Sequence, residues 1–414
     1  MKKYIDKKNK KSIIKLTSIL STFDNRKKRE DKVEEKFVVR LPSNIYGGIG
    51  TIENIKDILI TEKVKKIAII TDKGIKQSST YSKIILLLKN VEKIIIDDTP
   101  QEPTYLEVVK IIKKLEEEHI DFIIGVGGGS VMDTAKLCSI LYKAPYTIKE
   151  LLECPELGEK KVKTLMIPTT CGTGSEATCN AIVAVPEEGL KVGIVNQNLI
   201  PDYVVLDPVT LESLPKKLIA STGIDALCHC LECLTSNKSN MFSQLYALNG
   251  GALILKNIEK AYLDSKDLKA KYNMLIGSFY GGMAITASGT TAIHALSYPL
   301  GGKFHIPHGI SNAIMMVPVM EFNRSACQKE LALLYDQIWP ENYSYSVEEK
   351  SEKIIKELKD LVSLMNIPSL KDYGLSEDDL DFLVEAGSKV TRLLNNNLKK
   401  ITKEDMRKIY MSVI

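Results

Sequence analysis

The chain has 414 residues, a length at which two domains of ordinary size are expected. Its 44% hydrophobic and 26% charged residues are typical of a soluble globular protein, and its apolar runs are too short to cross a membrane. The formal net charge of +4 is small, which gives no reason to expect a nucleic acid partner. Eight irregularly spaced cysteines favour a reducing, cytoplasmic location.

The first 37 residues form a basic N-terminal extension, which includes a run of four cationic residues at 26–29. Its apolar patch at 13–20 is interrupted by Lys15 and lacks a small-residue cleavage site, unlike a secretory signal. We expect a flexible, solvated tail, with a partner-binding arm as the alternative.

From about residue 38, short runs rich in Ile and Val alternate with longer stretches whose apolar residues have helical spacing. This β-α-β-α order predicts an α/β domain with a parallel sheet. The predicted strands cover residues 66–71, 93–97, 122–126, 163–167, 181–185 and 203–206, with helices at 81–90 and 105–118.

The pattern changes after Pro208, because long helical periodicities follow without further strand signals. We therefore predict an α/β domain at 38–210 and an all-helical domain at 211–414. A boundary marked by Pro208 and Pro215 places a cleft between the two, and such clefts commonly hold ligands.

A glycine-rich run, residues 125–130, leaves one predicted strand and enters a predicted helix. Glycines let the backbone approach an anion, and the first amides of a helix can bind phosphate oxygens. The run differs from the usual G-x-G-x-x-G fingerprint and follows a later strand. It predicts a phosphate site, and a tight turn that needs positive φ is the alternative.

A second polar loop, residues 168–176, follows the next predicted strand and is rich in threonine and glycine. Its hydroxyls suit contacts to a ribose or pyrophosphate. The alternative is a threonine-rich loop that caps its own backbone. Two such loops in one α/β domain favour a dinucleotide more than either does alone.

Four side chains in the helical part are candidate metal ligands. Asp225 and His229 are four residues apart, which places them on one helix face, and His294 and His308 follow later. One carboxylate and three imidazoles suit Fe²⁺ or Zn²⁺ better than Ca²⁺ or Mg²⁺. The alternative is a set of separate histidines without a shared ion.

Three cysteines near His229 offer a competing zinc site, since Cys228, Cys230 and Cys233 are close in sequence. On a helix, Cys228 and Cys230 point about 200 degrees apart and cannot bind one ion together. We therefore predict that these thiols pack in the core.

Taken together, the motifs resemble those of the iron-containing (group III) alcohol dehydrogenases over residues 38–414. The resemblance implies a dinucleotide-binding α/β domain, a helical domain with the metal in the cleft, and a homodimer or larger homo-oligomer. The motifs are Gly127–Ser130 with Asp133, Pro168–Thr170 with Gly172 and Thr173, Gly223–Ala226 with His229 and Glu232, and Pro307–Gly309.

The resemblance assigns site residues by position. Asp72, after the first predicted strand, matches a carboxylate that binds the adenosine ribose, and its charge favours NAD over NADP. The implied metal ligands are Asp225, His229, His294 and His308. The implied cofactor contacts are Gly128, Gly129, Ser130 and Asp133 at the pyrophosphate, and Thr169, Thr170, Thr173, Thr178 and Lys191 around the ribose and nicotinamide.

One position departs from the family. Many members have a second histidine, assigned to proton transfer, four residues after the third metal ligand, and this chain has Tyr298 there. His305 is the remaining histidine placed to take the catalytic role, and an incidental cleft residue is the alternative reading.

The resemblance implies a metal-dependent alcohol dehydrogenase or aldehyde reductase. Hydride is expected to pass between a small primary alcohol and NAD, with Fe²⁺, or alternatively Zn²⁺, polarising the oxygen. The alternatives are a glycerol dehydrogenase-like or dehydroquinate synthase-like enzyme, or a non-catalytic metal-binding protein.

Overall fold

The computed structural model describes residues 37–187 and 190–414, and everything below lies within one compact unit, residues 39–414. The predicted basic extension falls outside the described residues except at its last position. Within the described part of the chain, no helix combines the length and apolarity needed to cross a membrane.

A six-stranded parallel sheet forms the first half, in the order β1-β8-β5-β4-β2-β3. An antiparallel pair, β6 and β7, stands apart from it. The strands are β1 (Asn44–Gly47), β2 (Lys66–Ile70), β3 (Glu92–Ile96), β4 (Phe122–Gly127), β5 (Lys163–Pro168), β6 (Asn180–Val185), β7 (Leu190–Val195) and β8 (Tyr203–Leu206).

Helices pack on the sheet because its central strands are apolar on both faces. Every residue of β4 is buried, as expected for a parallel strand covered on both sides. Thr104 and Glu107 form a capping box that starts α4. The helices of this half are α1 (Ile55–Thr61), α2 (Lys73–Lys76), α3 (Ser79–Leu87), α4 (Tyr105–Glu117), α5 (Gly129–Leu141) and α6 (Ile148–Glu153).

The predicted strand at 181–185 is present, but it belongs to the β6-β7 hairpin rather than to the large sheet. Its side chains alternate between buried and less buried positions, which fits a strand with one covered face. Strand β1 was not predicted, because this short edge strand is mostly exposed and has no apolar run.

Long helices form the second half, as predicted. At its centre lies α7, most of whose residues are buried, and α8, α9 and α11 pack against it. The helices are α7 (Lys216–Leu234), α8 (Met241–Leu263), α9 (Leu268–Ser288), α10 (Ala292–Phe304), α11 (His308–Ile338), α12 (Val347–Leu364), α13 (Leu380–Ser388), α14 (Thr391–Leu394) and α15 (Lys403–Met411).

The two halves share a hydrophobic core. Val204 and Leu206 of β8, and Cys171 and Ala177 of the second polar loop, are buried in the same cluster as the helices. The described strands lie before residue 207 and the long helices after 215. The fold class is therefore the one predicted, and the division into domains at 210 stays a prediction.

Candidate active site

The glycine-rich run links β4 to α5 and leaves the first amides of α5 without a side-chain cap among the described residues. A helix N-terminus of this kind attracts anions, because its unpaired amides lie at the positive end of the helix dipole. Gly128 has a φ of −80°, so the run is not a positive-φ turn. The glycines instead allow close approach, since a Cβ on Gly129 would lie 2.6 Å from Cγ2 of Thr173.

The second polar loop lies beside the glycines because β4 and β5 are neighbouring parallel strands whose carboxyl ends share one edge. A Cβ on Gly128 would lie 3.4 Å from Cγ2 of Thr170. The hydroxyl of Thr169 is buried and has no hydrogen-bond partner among the described residues. Thr170 and Thr173 are partly exposed and therefore accessible to a ligand.

Asp133 and Thr178, two of the implied cofactor contacts, are bound within the protein. Oδ1 of Asp133 accepts a 2.5 Å hydrogen bond from Ser175, and Oδ2 accepts one of 2.9 Å from the Ile182 amide. The buried Nζ of Lys136 lies 3.0 Å from Asp133 and donates to Thr178 Oγ1 at 3.2 Å. This network holds α5 to the second polar loop and to β6.

Three further implied contacts lie around the same edge. Asp72 follows β2 and caps α2, since its Oδ1 accepts from the Ile75 amide at 2.9 Å. The other two contacts, Ser130 and Lys191, are connected through Glu102. The Glu102 amide donates to Ser130 Oγ at 3.1 Å, and the Glu102 carboxylate lies 2.5 Å from Nζ of Lys191. Lys191 on β7 is thereby held next to the glycine-rich run.

The four predicted metal ligands converge. Oδ1 of Asp225 lies 3.9 Å from Nε2 of His229, 3.8 Å from Nε2 of His294 and 3.7 Å from Nε2 of His308. Asp225 and His229 are one turn apart on α7, while His294 and His308 lie in the first turns of α10 and α11. Three separate helices therefore place three imidazoles around Asp225, and the donor atoms of Asp225, His229 and His294 all lie within 4.8 Å of one another.

This spacing fits a divalent cation. Donors about 2.1 Å from a tetrahedral ion are separated by about 3.5 Å, close to the distances found here. Asp225, His229 and His294 are 3%, 6% and 3% exposed, whereas the side chain of His308 is 39% exposed. The side of the site at His308 is therefore the one open to solvent, while the other three candidate ligands are buried.

Electrostatics at the site favour metal binding. Removal from water lowers the pKa of His229, and it lowers the pKa of His308 to about 4. Burial alone would raise the pKa of Asp225, but attraction by the histidines, His229 first, outweighs it and lowers that pKa. At neutral pH the site therefore offers a carboxylate and two uncharged imidazoles with free lone pairs.

Two residues beside the ligands were given no role by the sequence. Nδ2 of Asn312 lies 2.7 Å from Asp225 Oδ1 and within 3.1 Å and 3.2 Å of Nε2 of His294 and His308. Glu232 forms a hydrogen bond with Nδ1 of His294. Asn312 is four residues after His308, so helical spacing is the signal that could have found it.

Tyr298 lies at the open side of the site, with its ring centroid 6.2 Å from that of His308 and 38% of the residue exposed. His305 is exposed and ends α10 in a left-handed conformation with φ of 54°. No described hydrogen bond or ring contact joins His305 to the metal ligands, and its catalytic role stays a prediction.

The three cysteines of α7 are buried in the core, as predicted. The thiol of Cys228 faces the Asn312 carbonyl and that of Cys230 faces the Gly277 carbonyl, so they point to different neighbours. Burial raises the pKa of Cys233 to about 12. None of the three is thus placed to bind an ion as a thiolate.

A glycine-rich helix N-terminus together with a carboxylate and three imidazoles in a helical half is the combination expected of a metal- and nicotinamide-dependent oxidoreductase. The family model described as "Iron-containing alcohol dehydrogenase" matches residues 42–208. The model described as "Fe-containing alcohol dehydrogenase family, C-terminal" matches residues 219–414. The chain belongs to the iron-containing alcohol dehydrogenase family, and it is an enzyme of the class that oxidises alcohols.

Relatives named as alcohol or butanol dehydrogenases match most of the chain. Alcohol dehydrogenase 4 of Saccharomyces cerevisiae is 32% identical over 83% of this chain and 90% of its own length. The NADPH-dependent butanol dehydrogenase of Clostridium saccharobutylicum is 30% identical over 90% of this chain and 97% of its own length.

Solved structures show the same fold. A 1,3-propanediol oxidoreductase superposes with a TM-score of 0.87 at 26% identity, covering 92% of this chain and 100% of its own. Sulfoacetaldehyde reductase from Bifidobacterium kashiwanohense, solved with NAD⁺, gives a TM-score of 0.84 at 25% identity, covering 91% of this chain and 98% of its own.

Proposed function

We propose that the chain transfers hydride between small primary alcohols and NAD, with Fe²⁺ held by Asp225, His229, His294 and His308. The observation that carries the proposal is the position of three imidazole nitrogens 3.7 to 3.9 Å from Oδ1 of Asp225, in a chain that also has a glycine-rich helix N-terminus. In this proposal residues 38–210 bind the dinucleotide and residues 211–414 bind the metal.

Lys191 supports the connection between the two sites. Its Nζ is paired with Glu102 beside Ser130, and it lies 3.8 Å from the position of a Cβ on Gly301 of α10. Its positive charge also contributes to the lowered pKa of His308. In this proposal the nicotinamide lies near Lys191, between the glycine-rich run and His308.

When bound, the ion supplies Lewis acidity toward the substrate oxygen and the dinucleotide accepts the hydride. The chain supplies position and electrostatics. Amides at the start of α5 would hold the pyrophosphate, and Thr170 and Thr173 would offer hydroxyls beside it. Asp225 contributes negative charge in a closed pocket, which strengthens the attraction to a divalent cation. The partly exposed His308 and Tyr298 border the side from which an alcohol can enter.

Asp72 favours NAD over NADP. One of its oxygens caps α2, and the other remains available to accept from a ribose hydroxyl. A carboxylate there would repel a 2′-phosphate. One relative is named as NADPH-dependent and one solved neighbour holds NAD⁺, so we propose Asp72→Ser as the test, measured as the ratio of kcat/KM for NAD to that for NADP. This ratio should fall at least several-fold, and an unchanged ratio would remove Asp72 from cofactor selection.

The test of the reaction is an isotope experiment on anaerobically iron-loaded protein. A small primary alcohol deuterated at the carbinol carbon is mixed with NAD⁺, and the nicotinamide product is analysed by mass spectrometry. One deuterium per NADH is expected. The absence of NAD⁺ reduction with every alcohol tested would overturn the proposal and favour a dehydroquinate synthase-like enzyme or a non-catalytic protein, and reduction with glycerol alone would favour a glycerol dehydrogenase-like one.

We further propose a cytoplasmic homo-oligomer. All eight cysteines are free thiols and most are buried, which suits a reducing compartment. The oligomer rests on the family resemblance, and light scattering coupled to size-exclusion chromatography would measure it. A monomer at micromolar concentration would contradict this part of the proposal.

A further inference from the structure

Glu232 is a fully buried acid on the helix that carries two of the metal ligands. It follows Asp225 by seven residues and His229 by three, so all three lie on one face of α7. Its side chain is 0% exposed. A carboxylate buried this completely is destabilising unless hydrogen bonds compensate for the lost water.

One carboxylate oxygen of Glu232 caps α10. Oε1 accepts from the amides of Thr291, Ile293 and His294 at 3.0, 2.8 and 3.2 Å, and from the Thr291 hydroxyl at 3.0 Å. Thr291, at the N-cap position, makes no capping bond with its own side chain. A side chain from α7 therefore satisfies amides that a helix N-terminus leaves unpaired.

The other oxygen of Glu232 orients His294. Oε2 forms a hydrogen bond with Nδ1 of His294, and an ionised carboxylate can only accept, so Nδ1 must carry the proton. In the neutral ring the second nitrogen, Nε2, then carries the lone pair, and it lies 3.8 Å from Asp225 Oδ1. The tautomer that a metal ion needs is thus fixed by a residue that is not itself a ligand.

We infer that Glu232 is a positioning residue of the metal centre, which fixes the tautomer and ring orientation of His294 and adds a second negative charge beside the site. This inference rests on the metal site of the proposed function. With Asp225, it gives the centre two carboxylates, which together match the charge of a divalent ion.

Glu232→Gln tests the role because it keeps the shape of the side chain and removes its charge. Metal-free protein is titrated anaerobically with Co²⁺ against a competing chelator, and the cobalt absorption bands report the geometry of the ligands. The variant should bind Co²⁺ roughly 10- to 100-fold more weakly, with altered bands.

Thr291→Val is the matched control. It removes one hydrogen bond to Oε1 and leaves the bond between Oε2 and His294 intact. We expect a lower melting temperature with unchanged cobalt affinity and bands. If Glu232 only capped α10, both variants would lower the melting temperature and neither would change cobalt binding, which would overturn the inference. Wild-type protein that binds no Co²⁺ would instead refute the metal site itself.

A measurement on wild-type protein covers the case in which Glu232→Gln does not fold. The chain has only five histidines, so ¹⁵N-histidine NMR of the metal-free protein at alkaline pH is tractable. One ring, assigned to His294 by its loss in His294→Asn, should carry its proton on Nδ1 and be protected from exchange. A proton on Nε2 of that ring would contradict the inference.

Discussion

Gly174→Ala perturbs the contact between the second polar loop and the helical half. Gly174 has a φ of +59°, a conformation that side chains other than glycine rarely adopt. A Cβ at this position would lie 2.6 Å from Cα and 2.8 Å from N of Gly282 on α9, and 3.0 Å from the Ser278 carbonyl oxygen. All three atoms belong to helix backbone, so the clash cannot be relieved by a side-chain rotation.

The expected loss combines two effects. The left-handed conformation costs alanine about 1–2 kcal/mol, and overpacking against a rigid neighbour costs about 1–3 kcal/mol. The free energy of unfolding should therefore fall by about 2–5 kcal/mol. Gly374→Ala is the matched control, because Gly374 has a φ of +78° with no atom within 4 Å of the added Cβ. It should lose only the conformational part, about 1–2 kcal/mol.

Urea unfolding of both variants, followed by circular dichroism, measures the difference. Gly174→Ala should unfold at a lower urea concentration than Gly374→Ala. It should also bind NAD more weakly, because Thr173 is adjacent in the loop and lies against Gly129. Equal destabilisation by the two substitutions would refute the close packing of the loop against α9.

Three further variants test other parts of the account. His294→Ala should lose bound metal and activity while its circular dichroism spectrum stays native. The control His119→Ala, at an exposed histidine, should keep its metal and its activity. Retention of metal by His294→Ala would remove His294 from the ligand set. Asn312→Leu takes the 2.7 Å donor from buried Asp225, so the metal-free protein should lose about 1–3 kcal/mol of stability, and an unchanged urea midpoint would contradict this contact. Burial raises the pKa of Glu176 from 4.5 to about 7, so the folded state retains a proton that the unfolded state releases, and stability falls as pH rises between these values. In the wild type, the free energy of unfolding should fall by on the order of 3 kcal/mol between pH 4.5 and about 7, and Glu176→Gln should abolish this fall. If the variant and the wild type had the same pH profile of the urea midpoint, Glu176 would ionise normally.

The fold was predictable where the local sequence determines burial. Strands β2, β4 and β5 are short apolar runs covered on both faces, and a run of this kind can be recognised as a buried strand from its sequence alone. The local sequence does not determine which strand pairs with which. Strand β6 was therefore predicted as a strand, but its pairing with β7 in a separate hairpin was not predicted. Strand β1 pairs with β8 through its backbone, and its exposed side chains gave no signal.

The site was predictable where residue chemistry is unusual. One acid and three of only five histidines at suggestive positions indicated a metal centre, and the structure brings them together. The direction of a side chain is a tertiary property, and Asp133 illustrates this. The family position implies a cofactor contact, which stays a prediction, whereas nothing in the sequence indicated that both of its oxygens accept hydrogen bonds from the protein itself. Glu232 was named only as part of a family motif, without a role, and Asn312 was not named at all, because asparagine and glutamate are ordinary helix residues until a ligand lies beside them.

The central claim is that Asp225, His229, His294 and His308 hold one divalent ion beside a bound dinucleotide. Its most direct test is an anaerobic titration of metal-free protein with Fe²⁺, with NADH formation from a primary alcohol measured at each addition. Activity should rise linearly and reach a plateau at one equivalent of iron per chain, and His229→Ala should show no such rise. Full activity before any metal is added, or activity gained equally by His229→Ala, would contradict the account.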